Sequence, residues 1–109
     1  MKVLCVEKYN VHLNRLVHIL NRAGYEVLTA ASGEQAIAIY AEQAIDGVLL
    51  EYDLPDSSGV AVRGEMKRIK PEVPVLLFSG IGPQTPLLLR FFDAYIRQRA
   101  WPESALEDS

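Results

Sequence analysis

At 109 residues, half of them hydrophobic and 23% charged, the chain has the size and balance of one globular domain that can bury a core without disulfide or metal. A formal charge of −3 argues against a basic face that grips a phosphate backbone, so nucleic acid is not an expected partner. The single cysteine, Cys5, excludes an internal disulfide and any CxxC motif, and no apolar run nears the ~20 residues of a membrane span. No signal-peptide pattern follows Lys2, so the expected location is the cytoplasm, with no membrane contact.

Residues 2–6, Lys-Val-Leu-Cys-Val, read as a first buried strand, and Cys5 inside it is expected to be a structural thiol. Leu13, Leu16, Val17 and Leu20 then recur at helical spacing, with Asn10 suited to cap that helix and Gly24 to the left-handed residue beyond its end. Residues 25–30 form a second strand. Ser32 followed by Gln35 is a capping box that opens a helix through Ala36, Ile37, Ile39 and Tyr40. Residues 47–59, Gly-Val-Leu-Leu-Glu-Tyr-Asp-Leu-Pro-Asp-Ser-Ser-Gly, are apolar without alternation up to an acid and then turn. Such a run is a strand buried on both faces, which sets Glu51 at the carboxyl edge of a parallel sheet, where open α/β folds place their sites.

Ser58 and Gly59 lead into a helix through Val60, Val62, Met66 and Ile69 that closes before Pro71. Residues 75–78 are a fourth strand ending at Ser79-Gly80. Thr85 and Pro86 look like the cap and first residue of a short helix, residues 94–97 like a short fifth strand, and Pro102 like the start of a last helical piece. Strand and helix alternate throughout, the pattern of a parallel sheet covered on both faces. The five apolar residues within 87–92 exceed what one face of a short helix buries. Leu87, Leu88, Phe91 and Phe92, joined by Trp101, are therefore candidates for an exposed partner patch, the alternative being a displaced helix that buries them all. His12 and His18 do not share a helical face and are expected to be solvated.

These pieces, in this order and spacing, resemble the receiver domains of bacterial response regulators over residues 2–102. The resemblance implies one flavodoxin-like α/β domain over residues 1–109. Its five-stranded parallel sheet would run in the order 2-1-3-4-5 with helices on both faces, here with a short fourth helix and a truncated fifth. It also implies a signal-transduction module of a two-component phosphorelay. In that family two adjacent acids after strand one hold magnesium, an aspartate ending strand three accepts a phosphoryl group, and a Ser or Thr and a Lys contact the modified acid. Here the acid pair is Glu7-Lys8, the acceptor position is Glu51, Ser79 is kept, and Gln98 falls where the lysine belongs, with Arg97 or Arg99 there after a one-residue slip.

Lys8 removes a metal ligand and adds a cation, so magnesium binding is expected to be lost or weak, with no other cofactor implied. The longer side chain of Glu51 makes it a candidate partial mimic of a phosphorylated aspartate, accepting from Ser79 or pairing with Lys8; simple drift of an unused pocket is the alternative. The expected function is a pseudo-receiver, not an enzyme, acting by protein–protein contact. Its expected partner is a histidine kinase, an output domain or regulator, or a second copy, met through the face of helix four, strand five and helix five, with Ser79 and Tyr95 coupling pocket to face. Two rivals stand beside it: a phosphorylatable regulator that uses Glu51 or Asp53 as acceptor, and a static scaffold or dimerisation unit.

Overall fold

Four short runs rich in Val and Leu become β1 (Lys2–Val6), β2 (Glu26–Ala30), β3 (Gly47–Glu51) and β4 (Val75–Phe78). In the computed structural model, which describes residues 1–99, they pair in parallel in the order β2-β1-β3-β4. Side chains alternate across the sheet. Val3, Cys5 and Leu49 pack against α1 (Asn10–Arg22) and α4 (Thr85–Arg99). Leu4, Val6, Val48 and Leu50 pack against α2 (Gly33–Glu42) and α3 (Gly59–Ile69) on the other face. A flavodoxin-like α/β sheet with helices on both faces is therefore present, and β3 is buried along its whole length.

The fifth strand expected over residues 94–97 does not form; those residues belong to α4, which is long where a short helix was expected. The periodicity explains why. Leu89, Phe92 and Ile96 fall at helical spacing and are all buried beside α1. Asp93 and Arg97 then form an i,i+4 ion pair at 2.9 Å, and Asp93 also accepts a hydrogen bond from the Tyr25 hydroxyl. Gly47 marks the contact on the sheet, because a Cβ there would lie 2.4 Å from Ile96 Cδ1. The last helical piece expected from Pro102, and Trp101, lie outside the described residues.

Helix ends follow local chemistry. Gly24 takes a φ of 96° after α1, the Gly24 N–H bonds the Asn21 carbonyl, and the Tyr25 N–H bonds the Leu20 carbonyl, a Schellman ending. At the start of α1 the cap position is Tyr9 and makes no side-chain bond, so Asn10 is the first helical residue and not the expected cap. Cys5 is buried, and burial with the nearby Glu7 carboxylate pushes its thiol up to about 12, which makes it inert.

Candidate functional site

Register builds the site. Val6 lies opposite Leu50, so the next residue of each strand, Glu7 and Glu51, emerges at the same point of the carboxyl edge. Both are buried, at 1% and 5% exposure. Glu7 Oε1 accepts from the Tyr9 N–H at 3.1 Å, while Oε2 is buried with no hydrogen-bond partner among the described residues. Glu51 Oε1 accepts from the Asp53 N–H at 3.4 Å and Oε2 from the Gly80 N–H at 3.1 Å. The Glu51 side chain lies beside Glu7 at this edge and acts on it. Burial first, then the neighbouring Glu51 carboxyl, hold the Glu7 carboxyl above its ordinary range, while the Tyr9 N–H pulls the other way.

Lys8 points elsewhere. Its ammonium lies 2.9 Å from Asp53 Oδ2, and the Asp53 side chain is 81% exposed. The bond to Asp53 raises the Lys8 pKa, with a smaller contribution from the charge of Glu51. The same ammonium stands 5.2 Å from the ring centroid of Tyr9. His12 is half-buried beside Tyr9 with its Nδ1 unpartnered among the described residues, so it is not the solvated helix histidine the sequence suggested.

The loop after β3 is fixed at both ends. Gly59 passes so close to the strand end that a Cβ would lie 2.5 Å from the Glu51 carbonyl oxygen, and Ser58 caps α3 by accepting from the Ala61 N–H. Asp56 reaches across to α2, where Oδ1 and Oδ2 accept from the N–H groups of Gly33 and Glu34 at 2.8 and 2.9 Å. Those bonds hold the Asp56 carboxyl below the ordinary range. The sequence signal for this bond is the Ser32–Gln35 box, which leaves the first N–H groups of α2 without partners.

The structure thus brings together Glu7, Glu51, Lys8 and Asp53. Ser79 is exposed, and Glu51 is bonded by the backbone of the following residue, Gly80. Gln98 is exposed near the far end of α4, and Ile96 shares a surface cleft with Met1, Ile45 and Pro74 at the amino edge of the sheet. That places Gln98 away from Glu51, and Arg97 is engaged by Asp93 and the Ala23 carbonyl. Of the proposed patch, Leu87, Phe91 and Tyr95 are exposed, Leu88 is half-buried, and Phe92 is in the core. Tyr95 sits on a helix, so the face that was to include strand five does not exist in that form. No group of three or more His, Cys, Asp or Glu side chains among the described residues is placed to hold a metal. None of the described helices is long and apolar enough to cross a membrane.

A family model of the response regulator receiver domain matches residues 3–96. Sporulation initiation phosphotransferase F of Bacillus subtilis is 30% identical over 74% of this chain and 65% of its own length. The transcriptional regulatory protein ZraR of Escherichia coli is 34% identical over 71% of this chain, which spans only 18% of ZraR. Among solved structures, a CheY-like receiver domain from Methanospirillum hungatei superposes with a TM-score of 0.81 at 18% identity, covering 90% of this chain and 94% of that one. The regulator TrrA of Thermotoga maritima, solved in complex with the histidine kinase ThkA, gives 0.70 at 28% identity over 74% of this chain and 70% of that one.

Proposed function

Because the chain belongs to the response regulator receiver domain family, we propose that it is a two-component signalling module that works by protein contact, with a pocket closed to ordinary aspartyl phosphorylation. The observation that carries this reading is the bond from the Gly80 N–H to Glu51 Oε2, 3.1 Å long. It ties the end of β3 to the loop after β4 through a carboxylate that is 5% exposed. A glutamate carries its carboxylate about 1.3–1.5 Å farther out than an aspartate, toward where a phosphoryl oxygen would lie on the shorter acid. Glu51 therefore acts as a built-in, partial stand-in for the modified state, carrying less charge and fewer acceptor oxygens than a phosphate. Its partners are the backbone N–H groups of Gly80 and Asp53, in place of the Ser79 hydroxyl or Lys8 ammonium.

The donor set does not fit a divalent ion. Magnesium asks for several hard oxygens in octahedral array. Here both oxygens of Glu51 and one of Glu7 already accept from backbone N–H groups, and the neighbouring acid, Asp53, is engaged by an ammonium. Phosphoryl transfer rests on positioning and charge neutralisation, and this arrangement supports neither around Glu51. The module has no catalytic residue of its own in this reading. Its partner is a protein, a histidine kinase being the kind that the TrrA–ThkA complex suggests.

Asp53 supports the second reading, since its carboxylate is open to solvent beside a cation and could be modified in place of Glu51. Incubation with acetyl phosphate and magnesium, followed by intact mass, tests both. No added phosphate is the expected result, and one phosphate mapped to Glu51 or Asp53 overturns the closed pocket. Hydrogen exchange on Glu51→Gln addresses the static scaffold. Faster exchange is expected at Gly80 and into the start of α4, whereas a change confined to Glu51 and its two bonded amides would favour a rigid unit.

A further inference from the structure

Among the described residues β4 pairs with β3 and with nothing on its other side. Alternate residues of a parallel strand aim their N–H and C=O to opposite sides. The Val48 N–H bonds the Pro74 carbonyl and the Tyr52 N–H bonds the Phe78 carbonyl, so the even-numbered residues of this segment face β3. The backbone groups of Val75 and Leu77 therefore face outward. Arg63 of α3 sets its Nε 3.3 Å from the Val75 carbonyl. Beside this edge, between α3 and α4, lies a cleft of about 360 Å³ lined by Val75, Leu76, Arg63, Phe91 and Tyr95. Phe91 and Tyr95 are 65% and 54% exposed.

We infer that this edge takes an extended segment of a partner protein, apolar at alternate positions and acidic at its flank, as an added strand. The main chain of such a segment would bond Val75 and Leu77, and its apolar side chains would lie on the faces of Phe91 and Tyr95. Charge chooses the occupant. Pairing β4 with β4 of a second copy is isologous and sets Arg63 near its own equivalent. Like charges facing each other across a ladder are unfavourable. An acidic segment meets Arg63 with the opposite sign. In the free chain the guanidinium covers the Val75 carbonyl, as edge strands are often guarded by cations. An incoming N–H displaces it, and the released guanidinium pairs with the incoming acid. Neither Glu7 nor Glu51 takes part, so the inference stands apart from the closed-pocket reading.

A phage-displayed library of random heptapeptides, panned on the full chain, supplies the probe. Enriched sequences are expected to alternate apolar residues and carry Asp or Glu. Binding should slow amide exchange at Leu77 by about tenfold or more. Replacing the peptide acid by Lys should weaken binding about tenfold, and Arg63→Glu should reverse that preference. Arg63→Ala, which keeps every residue of β4 and both aromatic rings, should bind acidic and neutral peptides alike. No enrichment, enrichment without acids, or protection away from residues 75–79 would overturn the inference. So would reversible self-association of the free chain that protects Leu77, because the edge would then belong to a second copy.

Discussion

Two acid sites share the carboxyl edge of this sheet and are satisfied in opposite ways. The inner one, Glu7 with Glu51, is buried and is held by backbone N–H groups, and burial pushes the Glu7 carboxyl above its ordinary range. The outer one, Asp53 with Lys8, is wet and is held by an ammonium. The cation has gone to the acid that water could have served anyway. An ammonium on a flexible stem keeps its hydration at the rim, while a desolvated carboxyl pair can lower its charge by keeping a proton. The inner acids are thus answered by backbone N–H groups and the outer one by Lys8.

Gly59→Ala should blur this division most, since the new Cβ would meet the Glu51 carbonyl oxygen at 2.5 Å and the Tyr52 Cα at 2.9 Å. Displacing the end of β3 disturbs both sites together, at a cost of about 3 kcal/mol read by urea unfolding. Glu51→Ala strikes the inner site alone. It leaves the Gly80 and Asp53 N–H groups without their acceptor and should cost about 2 kcal/mol in the same assay.

Glu7→Gln tests the proton. The folded Glu7 carboxyl is held above its ordinary value of 4.5, so the native state keeps a proton that the unfolded chain sheds. The stability tied to that proton is complete below the unfolded value and is lost as pH rises through the raised folded value. Glu7→Gln removes this slope, and its stability relative to wild type should climb from pH 4.5 toward neutrality. A flat difference across that window would mean that the folded Glu7 carboxyl is not raised. The smallest effect belongs to Asp53→Ala, whose Tm should match wild type within error at about 0.15 M salt, where exposed pairs are screened. A loss as large as that of Glu51→Ala would erase the distinction between inner and outer acids.

Much of the frame was legible because its signals are local. The unalternating runs over residues 3–6 and 48–50, the Ser32–Gln35 box and Gly24 each specify their element from within a few residues. Glu7 and Glu51 could be placed together because parallel strands that end on acids meet at one edge. The fifth strand failed because residues 94–97, taken as a short run by themselves, hide the helical period that Leu89, Phe92 and Ile96 carry across them. The partners of Glu51, Lys8 and Asp56 were out of reach for another reason. Each choice turns on a few ångströms between loops distant in sequence, such as the 29 residues that separate Glu51 from Gly80.

The clasp of Tyr25 on Asp93 spans 68 residues, and Arg97 reaches back 74 residues to the Ala23 carbonyl. A growing chain lays down β1, α1, β2 and β3 well before those partners exist. Throughout that interval Val3, Cys5 and Leu49 have α1 as their cover, and the flank that α4 will occupy stays greasy and open. Nascent molecules are thus most prone to stick to one another just before synthesis delivers α4, and a holdase that grips early and lets go late would suit this topology.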